Sequence, residues 1–359
     1  MRTRTLRLLT VSIIGPLAAL VLSSVVIAFS TDRFLDVRNL ENLSLQVSII
    51  ALIAVGSTLV ILTGGIDLSP GSQVAVLTML LATFVKFQHQ PLGLAVLEVV
   101  VIGGGLGLVN GLLVAYGRIP SFIVTLGTLT AYKGWAFLFN NGSPIFSVSD
   151  QLEPIFYGRW FGVPRPLYYV LVLYLIGFIF LNYTIPGRAI YSVGGNEVAA
   201  RLSGINVART RLVAFTLAGC TAGLASILMT ARLNSGSPNY GAGFELQAIG
   251  AAVIGGASLA GGYGNVVSTL LGALTIVVVQ NGLNLNDVPT SWQQIVLGLI
   301  IVFAVGVDSW KIQIAALARR VLPPVVFRWA RAAPIGQAPT PTGRSEREVP
   351  EVTGPRKEE

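Results

Sequence analysis

Charged side chains are scarce in this chain. Only 11% of its 359 residues are Asp, Glu, Lys or Arg, whereas 53% are hydrophobic. Soluble domains carry about a quarter charged residues, so this composition excludes an ordinary soluble domain. Several apolar runs reach the ~20 residues that an α-helix needs to cross a ~30 Å hydrocarbon core. The sequence therefore predicts an all-α, polytopic membrane protein.

Reactive side chains are equally few. Cys220 is the only cysteine and lies within an apolar run, which excludes an intramolecular disulfide. His89 is the only histidine and cannot form a proton relay by itself. The sequence has no metal-ligand cluster, no Ser/His/Asp set and no Gly-x-x-x-x-Gly-Lys-Ser/Thr phosphate loop. We therefore expect no enzyme activity, no metal and no cofactor in this chain.

Energy for transport must then come from an ion gradient, from the solute's own gradient or from a partner protein. Ionisable side chains within the membrane usually mark ion or proton pathways. The candidates are Glu98, Lys133, Arg232 and Glu245, of which only Lys133 lies far from the predicted outer boundary. Snorkelling of Lys133 to the membrane surface explains its position about as well as a function does. This shortage of buried charge argues against an ion gradient.

The sequence contains ten apolar runs. The first, 8–29, follows three arginines, but its 22 residues exceed the about 7–15 residues of a signal-peptide core, so we interpret it as a span. The others lie near 45–63, 71–87, 92–116, 121–140, 167–183, 212–232, 245–261, 265–284 and 292–310. We therefore predict about ten transmembrane helices.

Lys and Arg residues in the short loops predict the orientation, because cytoplasmic loops carry an excess of them. With a cytoplasmic N-terminus, the inside set is Arg2, Arg4, Arg7, Arg118, Arg188, Arg201, Arg209, Arg211, Lys311, Arg319, Arg320 and Arg328, and the outside set is Arg33, Arg38, Arg159 and Arg165. An even number of spans places both termini in the cytoplasm. The net charge of +8 mostly follows from this distribution, so we expect no nucleic-acid partner.

The same pattern predicts two regions. Residues 1–310 form the transmembrane domain, which includes a long basic loop at 184–211, and residues 311–359 form a cytoplasmic tail. From Arg331 onward the tail is polar, rich in proline and mixed in charge, a composition that predicts disorder.

Uncharged polar residues are the better candidates for contact with a solute. Amides exchange neutral hydrogen bonds with hydroxylated solutes, and several lie at or near the ends of glycine-rich spans. The candidate residues of a translocation path are Asp67, Asn110, Gln280, Asn281 and Asn284. The alternatives are helix capping for the aspartate and contacts between helices for the amides.

Two stretches of equal length, 110–127 and 281–298, share a pattern. Each opens with Asn-Gly-Leu, continues with a proline and ends in glycine. They begin in predicted spans of opposite direction, as the halves of an inverted repeat do. Chance similarity in a chain rich in glycine and leucine is the alternative.

The basic loop contains a short helical segment between glycines. Asn196 and Glu197 suit a helix N-terminus, Glu197 and Arg201 have the spacing of a salt bridge, and Gly204 suits the C-terminus. The candidate residues for contact with a motor protein are Gly194, Gly195, Asn196, Glu197, Ala199, Ala200, Arg201 and Gly204. Together with Leu202, the two alanines offer a compact apolar surface. The alternative is an interfacial helix on lipid, although this surface has neither Trp nor Phe.

Four segments, in this order, resemble those of the ribose-type permeases of bacterial ATP-binding-cassette (ABC) sugar importers. They are Thr63–Ser72 (TGGIDLSPGS), Pro120–Thr128 (PSFIVTLGT), Gly187–Val207 and Ile254–Gly264 (IGGASLAGGYG). The likeness runs from about residue 45 to 310. Pro70 departs from these permeases, which more often carry valine or another small residue there, and this departure affects the local loop geometry.

The resemblance implies a fold, a function and partners. It implies a ten-span permease of the bacterial inner membrane that translocates a neutral sugar or sugar-like solute and pairs with a second copy as a homodimer. Cytoplasmic ATPase subunits would bind ATP–Mg, an extracytoplasmic binding protein would deliver the sugar, and segment 194–205 would be the coupling helix that docks on the ATPase. The alternatives are an ion-coupled secondary transporter of a neutral solute and a passive channel.

Overall fold

The computed structural model of the protein describes the backbone of residues 2–321 and the side chains of residues 13–306. Helices dominate this part of the chain and its strands have two residues each, so the all-α prediction is confirmed. The chain divides into a compact unit, Met1–Ser309, and a second unit, Trp310–Glu359. The predicted disorder from Arg331 onward lies outside the described residues.

The helices and strands follow one another without long gaps. Their order is α1 (Arg2–Ser30), α2 (Val37–Leu62), α3 (Pro70–Ala82), α4 (Leu92–Ala115), α5 (Ser121–Leu138), β1 (Ile145–Phe146), α6 (Glu153–Phe156), β2 (Arg159–Trp160), β3 (Val163–Pro164), α7 (Arg165–Tyr183), α8 (Ile185–Gly195), α9 (Glu197–Leu202), α10 (Val207–Leu233), β4 (Ser235–Gly236), α11 (Phe244–Ile254), α12 (Val266–Leu285) and α13 (Thr290–Val321). A π-helical turn, Thr83–Phe87, continues α3. β1 pairs antiparallel with β4, and β2 pairs antiparallel with β3.

The helices match the predicted spans in number. Eight of the described helices are long and apolar enough to cross a membrane. Two shorter apolar helices, Phe244–Ile254 and Thr290–Gly306, bring the total to ten in the described part of the chain. Each of the ten predicted apolar runs therefore contains a helix.

The eighth span is shorter than predicted. The sequence predicted a span over 245–261, but α11 ends at Ile254. Residues 255–264 form an irregular loop in which four glycines have positive φ. Left-handed backbone suits glycine and ends a helix, so hydropathy alone overestimates this span.

Loops on alternate sides of the bundle define two faces. At one face, Gly194 of α8 packs against the backbone of Leu62 and Gly262. This side carries the loops 63–69, 116–120, 184–206 and 255–265. We call it the 184–211 face. At the opposite side, which we call the hairpin face after β2 and β3, Glu41 forms an ion pair with Arg159.

The centre of the bundle is formed by α2. In its most apolar stretch, 94% of the residues are buried. Beside it, α4 and α10 cross closely because their glycines face each other. A Cβ on Gly103 of α4 would lie 2.6 Å from the carbonyl oxygen of Gly219 in α10. A Cβ on Gly107 would collide with the carbonyl oxygen of Phe215, also in α10. Small residues at a crossing let helix backbones approach each other in membranes.

The chain between α10 and α11 re-enters the bundle without forming a helix. Gly236 packs on Thr78 of α3, and Gly241 packs on Gly71 at the start of α3. Residues 236–241 therefore run antiparallel to α3. Non-helical backbone at membrane depth occurs only where protein buries it or where it lines a water-filled cavity. α11 begins where this segment ends, beside the N-terminus of α3.

The two stretches that share a sequence pattern occupy corresponding places. Stretch 110–127 covers the end of α4 and the start of α5, and stretch 281–298 covers the end of α12 and the start of α13. α4 runs toward the 184–211 face, whereas α12 runs away from it. The predicted opposite directions of the two stretches are confirmed, and an inverted repeat of the whole bundle stays a prediction.

Candidate functional site

The loop between α7 and α10 folds as two short helices, because capping residues divide it. Asn196 Oδ1 accepts a hydrogen bond from Ala199 N–H at 2.9 Å and so begins α9. Gly204 follows the end of α9 in a left-handed conformation, with φ of 80°. Thr184 and Asn206 cap the flanking helices, α8 and α10, in the same way. The predicted helix ends are confirmed.

Part of the apolar surface of α9 faces inward. Ala200 is only 3% exposed and packs with Val207, so its side chain lies inside the chain, whereas the sequence placed it on an outer surface. Ala199 is exposed, and Val198 and Leu202 are 68% and 85% exposed. The apolar surface that α9 offers to a partner is therefore formed by these three side chains.

Glu197 links α9 to α10. Its carboxylate forms an ion pair with Arg201 at 2.9 Å and another with Arg211 at 2.7 Å. The first pair lies within α9, so the predicted salt bridge is confirmed. Arg211 belongs to α10, and its side chain is 27% exposed compared with 70% for Arg201. The less exposed pair therefore ties the two helices together.

Three loops meet beside α9 at a cluster that we call the glycine junction. Its members are Gly64, Gly194, Gly195, Gly261 and Gly262. A Cβ on Gly194 would collide with the carbonyl oxygen of Leu62, and Gly262 N–H donates a hydrogen bond to that same oxygen at 3.0 Å. A Cβ on Gly261 would lie 2.8 Å from the backbone nitrogen of Gly64. The junction therefore joins the 184–211 loop to the loops before α3 and α12.

The glycine junction was not predicted from the sequence. Each of its three loops is rich in glycine, and this is the only signal that the sequence offers. The contact itself depends on the packing of α2, α8 and the α11–α12 loop, which lie far apart in the chain.

A cavity of about 900 Å³ opens beside the junction. Its walls come from the α2–α3 loop, the α4–α5 loop, α9 and α10. Arg118, Arg201 and Arg211 line it together with Glu197, so its charged side chains carry a net positive charge. Because α9 forms one wall, a movement of α9 against the bundle would change the shape of this cavity.

Two of the predicted path residues, Asp67 and Asn110, meet in one buried network. Ser69 donates to Asp67 Oδ1 through its hydroxyl at 2.6 Å and through its N–H at 2.9 Å. Asn110 Nδ2 and Gln73 Nε2 each donate to Ser69 Oγ at 2.8 Å. Tyr132 OH donates to Asn110 Oδ1 at 3.4 Å. The network therefore joins the α2–α3 loop to α3, α4 and α5.

The network is enclosed by the chain. Asp67 is 2% exposed and Asn110 is fully buried. Burial raises the pKa of the Asp67 carboxyl above its ordinary value, and the hydrogen bonds from Ser69 lower it in part. Asp67 Oδ2 and Gln73 Oε1 have no hydrogen-bond partner among the described side chains and backbone groups. Contact of this network with a solute requires the surrounding helices to separate, and its role in a path stays a prediction.

The other three predicted path residues lie toward the hairpin face. Asn281 is 4% exposed and forms a reciprocal pair with Asn39, in which each amide donates to the other at 2.8–2.9 Å. Asn284 is exposed and accepts a hydrogen bond from a glutamine of α13. Gln280 is half-buried. The five predicted residues therefore fall into two separate groups. Among the side chains described, no three His, Cys, Asp or Glu residues are grouped to hold a metal ion.

Ten apolar helices, a non-helical segment inside the bundle and a capped helical element at one face define a membrane transport protein. A family described as branched-chain amino acid transport system / permease component matches residues 39–305. The chain is 42% identical over 299 residues to the ribose import permease protein of Escherichia coli (strain K12), covering 82% of this chain and 92% of the relative. It is 34% identical over 366 residues to the xylose transport system permease protein of the same strain, covering 85% and 93%. No solved structure matches the chain.

The chain therefore belongs to this family of permease components. A ribose import permease protein of Bacillus subtilis (strain 168) is also similar, at 39% identity over 300 residues that cover 83% of this chain and 93% of the relative. The predicted resemblance to ribose-type permeases is confirmed. The protein is a multi-pass permease subunit of an ABC importer in the bacterial inner membrane. Its relatives are permease proteins.

Proposed function

We propose that the chain carries a neutral sugar or sugar-like solute across the membrane as one half of a homodimer. A cytoplasmic ATPase subunit that binds ATP–Mg docks on the 184–211 face, and a sugar-binding protein delivers the solute at the hairpin face. Both termini are then cytoplasmic, and the chain itself hydrolyses no ATP and holds no cofactor. The ribose and xylose permeases among its relatives support the solute class.

The observation that carries the docking site is an exposed apolar surface on an element held firmly to the bundle. Val198 and Leu202 of α9 are exposed. The ion pair from Glu197 to Arg211 and the glycine junction hold this element in place. A helix that transmits force must be both accessible to its partner and fixed to the part that moves. Both conditions are met at α9.

The glycine junction would pass a movement of α8 and α9 on to the loops before α3 and α12. Leu62 precedes the loop that leads into the Asp67 network and α3, and Gly262 lies in the loop that leads into α12. A displacement of α8 and α9 therefore moves both loops. ATP binding that brings the two docking elements of a homodimer together would switch the path between outward-open and inward-open states.

Purification of the permease from native membranes, with measurement of the ATPase that accompanies it, tests the docking site. Leu202→Glu and Val198→Glu are expected to reduce the recovered ATPase at least tenfold, because each places a charge in an apolar contact. Phe161→Glu is the matched control. Phe161 is 100% exposed at the β2–β3 hairpin, and its replacement is expected to leave ATPase recovery unchanged.

Equal recovery of the ATPase with all three variants would contradict docking on α9. Uptake of labelled D-ribose into liposomes by the chain alone, without ATP, would instead support an ion-coupled secondary transporter.

A further inference from the structure

Two helix N-termini and two ionisable side chains of opposite sign surround a small cavity that opens at the exposed side of α5. The cavity measures about 90 Å³ and is lined by Gly71 and Ser72 at the start of α3 and by Glu245 at the start of α11. Lys133 of α5 and Tyr240 of the non-helical segment before α11 complete the part of the wall that carries polar groups. It is separate from the Asp67 network and from the cavity beside the glycine junction.

The cavity lies near the middle of the membrane. Lys133 follows the start of α5, Ser121, by 12 residues. At 1.5 Å per residue this corresponds to about 18 Å from the 184–211 face. The neighbouring Tyr132 donates a hydrogen bond to the carbonyl oxygen of Leu106, at 3.0 Å. Leu106 lies about 14 Å before the end of α4 at that same face. Both distances are near half of a ~30 Å hydrocarbon core.

Glu245 lies deeper than the sequence predicted. Its place in an apolar run predicted a position within a turn or two of the outer boundary, but residues 236–241 carry the chain inward along α3 before α11 begins. A Cβ on Gly71 would collide with Glu245 Oε2, so the carboxylate rests on the first turn of α3. Helix N-termini favour negative charge. The position of Glu245 therefore depends on the non-helical segment that precedes it.

The two ionisable side chains border the same space without forming an ion pair. Lys133 and Glu245 line the same cavity. The ion pairs among the described side chains join Arg159 to Glu41 and two other arginines to Glu197, and none includes Lys133. The lysine side chain is exposed in the single chain, and Glu245 is half-buried. A donor and an acceptor therefore border the same space and leave room for a molecule between them.

We propose that this cavity is the point in the path where the solute is held, with Lys133 and Glu245 binding neighbouring hydroxyl groups of a neutral sugar. This inference rests on the proposed function. A carboxylate accepts hydrogen bonds from two hydroxyls, and an ammonium group donates to hydroxyl oxygens. One acidic and one basic side chain add no net charge when both are ionised, which suits a neutral solute. In other transporters, the N-termini of interrupted helices near the membrane midplane point at anionic groups of the solute, a place that the Glu245 carboxyl takes here.

The size of the cavity limits what it holds in this conformation. A volume of about 90 Å³ has room for about three water molecules. It accepts the hydroxylated edge of a sugar ring and not a complete monosaccharide. The rest of the ring extends past the exposed side of α5, where the second copy of a homodimer would complete the path.

Uptake by the complete importer, reconstituted with its ATPase and binding protein, tests this site. The solutes are D-ribose and its 2-deoxy, 3-deoxy and 5-deoxy analogues, and the variants are Glu245→Gln, Lys133→Met and the double variant. Because one binding protein serves all variants, any change in the ratio of D-ribose to deoxy-sugar uptake comes from the permease. Each variant is expected to lower D-ribose uptake at least tenfold, and Glu245→Gln is expected to abolish the discrimination against at least one analogue.

The matched controls are Glu98→Gln and Lys86→Met, which remove the same groups outside the cavity and are expected to retain wild-type ratios. Recovery of the ATPase with each variant checks assembly. If Glu245→Gln does not assemble, Glu245→Asp keeps the charge, shortens its reach and is expected to change the same ratio.

Three results would overturn the inference. The first is an unchanged uptake ratio in every variant. The second is restored uptake in the double variant, which indicates an ion pair that only holds α5 to α11. The third is a wild-type importer that does not distinguish any deoxy analogue from D-ribose. A wild-type importer that moves neither D-ribose nor D-xylose would contradict the proposed function itself and this inference with it.

Discussion

At the scale of single residues, asparagine has two distinct roles in this protein. Asn196 and Asn206 lie at helix starts, where an amide oxygen accepts a backbone hydrogen bond within three residues of its own position. Asn39 and Asn281 are instead buried and bind each other across 242 residues of sequence. The first role is local and is therefore visible in the sequence. The second depends on the packing of α2 against α12 and is not.

We expect Asn39→Leu to lower the free energy of unfolding by about 1–3 kcal/mol, because it leaves the buried amide of Asn281 without its partner. Asn281→Leu is expected to have a similar effect. The loss of unfolding free energy in the double variant is expected to be smaller than the sum of the two single losses, since no unpaired side-chain amide remains. Thermal unfolding of the purified permease in detergent measures all three. Losses that simply add would show that the two amides act independently.

At the scale of helices and loops, the glycine junction brings backbone atoms of three loops into direct contact, with no side chain between them. A Cβ on Gly194 would meet the backbone of Leu62 and Gly262, whereas a Cβ on Gly195 would meet no atom within 4 Å. Backbone atoms held by their own helix and loop cannot move aside as a flexible side chain does. Gly195 therefore has room for a larger side chain, whereas Gly194 does not.

Gly194→Ala is expected to destabilise the permease by about 1–3 kcal/mol through overpacking and to lower ATP-driven uptake at least tenfold. Gly195→Ala is the matched control and is expected to change neither quantity appreciably. The measurements are thermal unfolding in detergent and uptake by the reconstituted importer. Equal effects of the two alanines would show that close backbone approach at the junction is not required.

The elements also show what a sequence can predict about a membrane protein. The ends of α9 were predicted because Asn196 and Gly204 act within one helical turn. The burial of Ala200 was not, because it depends on where α9 rests against Val207. The early end of α11 was missed because an apolar, glycine-rich loop has the same hydropathy as a helix.

At the scale of the whole molecule, ten spans and their alternation follow from hydropathy, because lipid requires long apolar helices. The predicted path residues were not located as well, since Asp67 and Asn281 belong to two separate groups in the bundle. Sequence position along a span gives depth only when the span is a continuous helix. Where the chain is not helical, as before α11, that relation fails and the site cannot be located from the sequence.

The two faces of the molecule give a test of its orientation. In a Cys220→Ser background, Phe161→Cys is expected to react with a membrane-impermeant maleimide added to intact spheroplasts, because Phe161 lies at the hairpin face and is fully exposed. Leu202→Cys is expected to react only in inside-out vesicles. Labelling in the reverse order would place both termini outside the cytoplasm.

The interrupted eighth span also has a consequence for the biogenesis of the protein. α11 has 11 residues, fewer than the ~20 that hold a helix across a bilayer, and the chain before it has backbone groups that lipid cannot satisfy. In the finished structure α11 packs mainly against α2 and α12, and its first turn also meets the start of α3. During synthesis α2 and α3 are already present when α11 emerges, whereas α12 emerges after it, so the packing around α11 is completed only once α12 has been made. We therefore expect stable integration of α11 to depend on packing against neighbouring helices and not on its own hydropathy.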